Sequence, residues 1–114
     1  MSGISVHVVD VSRGVPAAGL RVEVWALDGE RRHIAGGALS ARGTLDEPGL
    51  AAAGEGRYEA LFHVGDFYRG LGHALPEPPF LDVVPFRFGV ADAGQHYHLP
   101  LKLTPWGFSI FRGA

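Results

Sequence analysis

The stretch LDVVPFRFGVADAGQHYHLPLKL, residues 81–103, decides the fold. Val84, Phe86, Phe88 and Val90 occupy alternate positions in its first half, and Tyr97, Leu99, Leu101 and Leu103 do the same in its second. Successive side chains of an extended strand point to opposite faces, so each run offers one apolar face to a core. Leu81–Val90 and His96–Leu103 therefore read as two long strands.

The same period recurs upstream. Ile4–Val11 sets Ile4, Val6 and Val8 against Ser5, His7 and Val9; Leu20–Leu27 turns Leu20, Val22, Val24 and Ala26 inward and Arg21, Glu23 and Trp25 outward. Arg57–Val64 places Tyr58, Ala60, Phe62 and Val64 on one side. A weaker stretch, Arg32–Leu39, is interrupted by Gly36-Gly37 and reads as two short edge strands, with a loop over 40–56 after it. From Gly65 to Leu75 the spacing changes: Phe67, Tyr68, Leu71 and Leu75 lie three or four apart, which predicts one short helix over about 66–75, N-capped by Asp66 and ended by Pro76, Pro78 and Pro79. Trp106–Arg112, after Pro105, reads as a last edge strand. About eight short strands and one brief helix make an all-β, antiparallel β-sandwich.

Composition narrows the function. The 114 residues and 12.2 kDa fit a single domain, 1–114, and 46% hydrophobic against 19% charged residues make it globular. Without cysteine there is no disulfide, zinc ribbon or thiol nucleophile. A net charge of -2 offers no basic stripe for a phosphate backbone, so no nucleic acid is expected as partner. No apolar run is long enough for a membrane span, and the chain enters its first strand without a leader-like segment, so the expected location is cytoplasmic.

Any chemistry then falls to the histidines, at 7, 33, 63, 73, 96 and 98. His96 and His98, two apart in a strand, project from one face together with Pro100 and Lys102, opposite Tyr97 and Leu99; His7 likewise opposes Ile4, Val6 and Val8. A hydrogen-bonded ladder pair is one reading. A His-x-His metal site would need further ligands from elsewhere, and no acidic cluster supplies them, so neither metal nor cofactor is expected. Trp25 and Trp106 are expected to serve ordinary packing.

Several stretches are similar to one family. Ser5-Val6-His7-Val8-Val9-Asp10 with Gly14-Val15-Pro16-Ala17, then Gly56-Arg57-Tyr58, Phe62 and Gly65-Asp66-Phe67-Tyr68, precede the most specific block. That block is His96-Tyr97-His98-Leu99-Pro100-Leu101, Thr104-Pro105-Trp106-Gly107-Phe108-Ser109 and Phe111-Arg112-Gly113-Ala114. Over nearly its whole length the chain resembles the transthyretin-like 5-hydroxyisourate hydrolases. The resemblance implies an eight-stranded sandwich with one helix, a homotetramer with its sites where dimers meet, and hydrolysis of a small cyclic ureide in urate catabolism by imidazole-assisted attack of water.

It also implies site residues. His7 and His98 match the catalytic histidines, and Thr44, His96, Arg112 and Gly113 are the expected substrate contacts, His96 beginning the His-Tyr-His motif and Arg112 and Gly113 matching the terminal tetrapeptide. The departures are as specific: Thr44, after Gly43, stands where the family has an arginine, Phe111 stands for a tyrosine and Ala114 for a serine. An oxyanion formed during hydrolysis needs a donor. Arg112 is the first candidate to replace the missing guanidinium, and Arg42 the second. Two other readings stay open: a diverged hydrolase or cyclase of a related cyclic ureide or imide, and a small-molecule carrier of transthyretin type.

Overall fold

In the computed structural model, which describes residues 2–113, the alternating runs become two packed four-stranded sheets. The strands are β1 Ile4–Asp10, β2 Val15–Pro16, β3 Arg21–Ala26, β4 Arg32–Ala38, β5 Gly56–His63, β6 Val83–Val90, β7 Tyr97–Thr104 and β8 Gly107–Ile110. One sheet has the order β2-β1-β7-β8 and the other β4-β3-β5-β6. Val6, Val8, Leu99, Leu101 and Leu103 from the first sheet meet Val22, Val24, Ala60 and Phe62 from the second, each no more than 2% exposed. Burying a side chain of this kind is worth about 1.5 to 3 kcal/mol, so the period-two pattern itself supplies the cohesion between the sheets.

Every pairing between these strands is antiparallel except one. β1 runs parallel to β7, in register from Ile4 opposite Tyr97 to Asp10 opposite Leu103. Parallel neighbours need a long crossover, and here the whole second sheet provides it. The register sets Ser5 beside His98 and His7 beside Pro100, on the face turned away from the core.

The end of β1 is fastened by a buried carboxylate. Burial alone would raise the pKa of Asp10, but hydrogen bonds from Arg13, Ser12 and the Tyr68 hydroxyl (2.9 Å) outweigh it and hold the carboxyl below its usual range. Tyr68 lies on α2, Val64–Gly70, so the same carboxylate ties the helix to the sheet.

Four local expectations change. The helix begins at Val64 rather than 66, because β5 runs straight into it and the free Val64 and Gly65 amides donate to the Asp82 carbonyl; Asp66 sits in the first turn instead of capping it. It ends at Gly70, short of 75. β4 is one strand, not two, since Gly36 and Gly37 keep the backbone ladder with Glu23 and Val22 while a bulge between Val24 and Trp25 absorbs the irregularity. The loop after it contains a helical turn, α1 Pro48–Ala51, with Pro48 at its start and Leu50 buried beneath it. Trp106 does not pack inside: it is 60% exposed, its ring 6.2 Å from that of Phe80.

Candidate active site

The outward face of β1 and β7 carries Ser5 and His7 on one strand and His98, Pro100 and Lys102 on the next. Beyond β1, residues 40–45 fold into a tight turn pinned to the strand edge. The Val8 amide donates to the Gly43 carbonyl at 2.9 Å, and a Cβ on Gly43 would lie 2.5 Å from the Val8 carbonyl oxygen, so only glycine fits there. With φ at +79°, Gly43 is also in the left-handed region. The consequence is positional: the next residue, Thr44, bridges directly to His7. On the far side of β7 the chain end returns, and Gly113 bridges to His98 through an amide-to-carbonyl bond of 2.7 Å.

Histidine 98 is thus framed by β1 and by the tail, and it is half-buried. Its pKa is lowered, first by burial and then by charge on His7 and His96, so the ring is held neutral and able to accept a proton. The Ser5 hydroxyl lies 2.6 Å from Nδ1 of His98 and 2.8 Å from Nε2 of His96; Nδ1 of His96 in turn bonds the Ser2 carbonyl at 2.9 Å. Thr44 turns its hydroxyl to Asp46 at 3.0 Å and shares a 2.8 Å hydrogen bond with Ser40. Among the described residues, no group of three or more histidine or acidic side chains is placed to hold a metal ion.

The candidate residues are not all brought together. His7, His96, His98, Thr44 and Gly113 gather on one face. Arg112 does not join them within its own protomer. Its guanidinium stacks 3.9 Å from the centroid of Tyr97, a residue of the core side, and donates to Gln95 and to the His96 carbonyl. The reason is strand alternation: Gly113 shares the face of His98, so Arg112, one residue earlier, points the other way. Arg42 is 79% exposed and reaches Asp46 at 3.7 Å. Ala114 lies outside the described residues. Two residues gain importance: Ser5, and Lys102, the only lysine in the chain, exposed on the His98 face. The alternation that placed His7 and His98 outward already placed both there.

Comparison with known proteins covers nearly the whole chain. Residues 4–113 match the HIUase/Transthyretin family. A protein of Mesorhizobium japonicum, "5-hydroxyisourate hydrolase", is 47% identical over 97% of this chain and 91% of its own length. Another, "5-hydroxyisourate hydrolase 2" of Rhizobium meliloti, is 44% identical over 97% of this chain and 95% of its own. The solved structure of Klebsiella pneumoniae 5-hydroxyisourate hydrolase superposes with a TM-score of 0.81 at 28% identity, covering 100% of both chains. With this fold, paired histidines on adjacent parallel strands, and a match over residues 4–113, the chain belongs to the HIUase/Transthyretin family.

Proposed function

We propose that this protein is a 5-hydroxyisourate hydrolase, a single domain over residues 1–114 that works in the cytoplasm as a homotetramer without cofactor or metal. His98 is the base: Nε2 takes a proton from water as the water oxygen adds to a ring carbonyl of the oxidised purine. The tetrahedral intermediate then expels the ring nitrogen, the C–N bond breaks, and the proton passes from His98 to that nitrogen. A positioned base of this kind is worth roughly 10²- to 10⁴-fold. His7 shares the water from the neighbouring strand. Thr44 and Gly113 form the walls that contact substrate, and His96 adjoins them.

The missing arginine needs a substitute for the oxyanion. Lys102 is the cation on the face of His98, about 13 Å along the strand between Cα atoms, a span that a lysine and a small substrate bridge together. Arg112 acts by anchoring the tail that carries Gly113. The exposed aromatic side chains Trp106, Phe108 and Phe111, 45–60% accessible on and beyond the edge strand β8, support association through that edge.

One observation carries the reading: the parallel register that sets His7 and His98 on the same face of neighbouring strands. Freshly generated 5-hydroxyisourate mixed with the protein should lose its ultraviolet absorbance faster than in buffer, and His98→Ala should abolish the difference. Decay at the buffer rate would overturn the assignment. Thr44 favours a second reading, because the residue bridged to His7 carries a hydroxyl engaged by Ser40 and Asp46 in place of a guanidinium. A related cyclic ureide or imide hydrolysed in preference would identify that diverged activity.

A further inference from the structure

We infer that Ser5 and His96 are positioning residues that fix the tautomer of His98, leaving its Nε2 free to act as the base. The inference rests on the reading of His98 as the catalytic base. Its starting point is a chain of three short hydrogen bonds: Ser2 carbonyl to His96 Nδ1 at 2.9 Å, His96 Nε2 to Ser5 Oγ at 2.8 Å, and Ser5 Oγ to His98 Nδ1 at 2.6 Å.

Proton counting along the chain leaves one arrangement for neutral imidazoles. A carbonyl oxygen only accepts, so Nδ1 of His96 carries the proton that bonds Ser2. A neutral imidazole has one N–H, and Nε2 of His96 is therefore an acceptor. It must receive the single hydroxyl proton of Ser5. That proton is then spent, and Ser5 can face His98 only as an acceptor. Nδ1 of His98 must supply the proton, which leaves Nε2 with its lone pair.

The lone pair also points the right way. The Nδ1 edge of the ring is occupied by Ser5 from β1, and the Cδ2 edge lies beside Gly113, where an added Cβ would sit 3.0 Å away. These are the two ring atoms nearest the backbone. Cε1 and Nε2 are the distal atoms, facing away from the sheet. With the opposite tautomer a proton would occupy Nε2, and the ring could donate to water but not deprotonate it. His96, which by the family resemblance would have contacted substrate, thus acts from behind.

The test reads the tautomer directly. In protein carrying nitrogen-15 histidine, at a pH of about 8 where imidazoles are neutral, long-range proton–nitrogen spectra distinguish a protonated ring nitrogen from a bare one. His98, identified by the signals lost in His98→Gln, should show a protonated Nδ1 and a bare Nε2. Ser5→Ala should move it toward the Nε2-protonated form, and Ser5→Thr should restore it. His96→Leu should move it in the same direction while leaving Ser5 in place, because the freed hydroxyl then donates to Nδ1. In the hydrolysis assay Ser5→Ala should lower kcat by about 10-fold or more with KM near the native value, a part of the base's own contribution. A native His98 protonated on Nε2, or a tautomer unmoved by both Ser5→Ala and His96→Leu, overturns the inference. The spectra need no substrate, so failure of the hydrolase reading and failure of this one are separable.

Discussion

Gly113 stands against His98. Its amide donates to the His98 carbonyl at 2.7 Å, and its bare Cα leaves room that a methyl would take, 3.0 Å from the imidazole Cδ2 and 3.3 Å from the Pro100 ring. Gly113 thus limits how the ring leans. Gly113→Ala should displace it by a few tenths of an ångström, lowering kcat by about 10-fold or more, since misplacement by 1 Å can cost roughly 10²-fold. Stability should move by less than about 1 kcal/mol, as for most substitutions outside the core. Native kcat in a folded Gly113→Ala protein would show that the contact is indifferent.

The pH dependence follows from the lowered pKa of His98. Activity requires the neutral ring, so the rate is lost as pH falls through the folded-state value, which burial and the neighbouring His7 and His96 place below the ordinary 6.5. The acid limb of kcat/KM should therefore have its midpoint under pH 6.5, and the NMR titration of His98 should coincide with it. His7→Gln removes one of the lesser causes and should raise that titration part of the way back. An acid limb above the ordinary histidine value would contradict the assignment.

Three cations can be separated by substitution. Lys102→Met should lower kcat/KM by about 10-fold or more, in line with the roughly 1.5 to 3 kcal/mol of a hydrogen bond to a charged group. Arg112→Ala should act mainly through the tail, lowering thermal stability and loosening Gly113 rather than removing a donor from substrate. Arg42→Ala should be close to native, because an exposed ion pair with Asp46 contributes little. Were Arg112→Ala to reduce kcat with stability and the Gly113 amide signal unchanged, the guanidinium would be reaching substrate, and Lys102 would lose its role.

Asp10 contributes to acid stability. Its folded pKa is depressed below the ordinary carboxylate value of 3.8, so its contribution is fully present above 3.8 and is lost as pH falls through the lower folded value. Urea midpoints measured from pH 7 down to pH 2 should show this loss in the native protein and a flatter profile in Asp10→Asn. Tyr68→Phe, which removes the donor from α2, should cost about 1 to 3 kcal/mol at neutral pH.

The strands were legible because their inward positions are nearly all Val, Leu, Ile, Phe or Tyr, and nothing else satisfies a period of two. The parallel pairing of β1 with β7 was not, since alternation says which face is buried and nothing about which strand lies alongside. The start of α2 was missed for a related reason: its first amides are satisfied by the Asp82 carbonyl, a residue distant in sequence, where a local cap was expected at Asp66. β4 misled because glycine lacks a side chain to declare a face, yet its backbone pairs as well as any other. At the site, the outward direction of Ser5, His7, His98 and Lys102 could be read from the strand pattern alone. That Arg112 turns to the opposite side depends on Gly113 pairing with His98, a contact across the sheet that spacing along the chain does not encode.

The parallel pairing also orders events in time. Ser5 and His98 are 93 positions apart, and β1 finds β7 only after nearly all the chain has been synthesised. Contacts of such separation slow the search for the native state, since the loop must close before the pairing rewards it. On the ribosome, β1 would wait with one edge unsatisfied while the second sheet forms, a period when assisted folding would matter most. Folding and activation are then a single event: no partly made chain has an imidazole pair to work with.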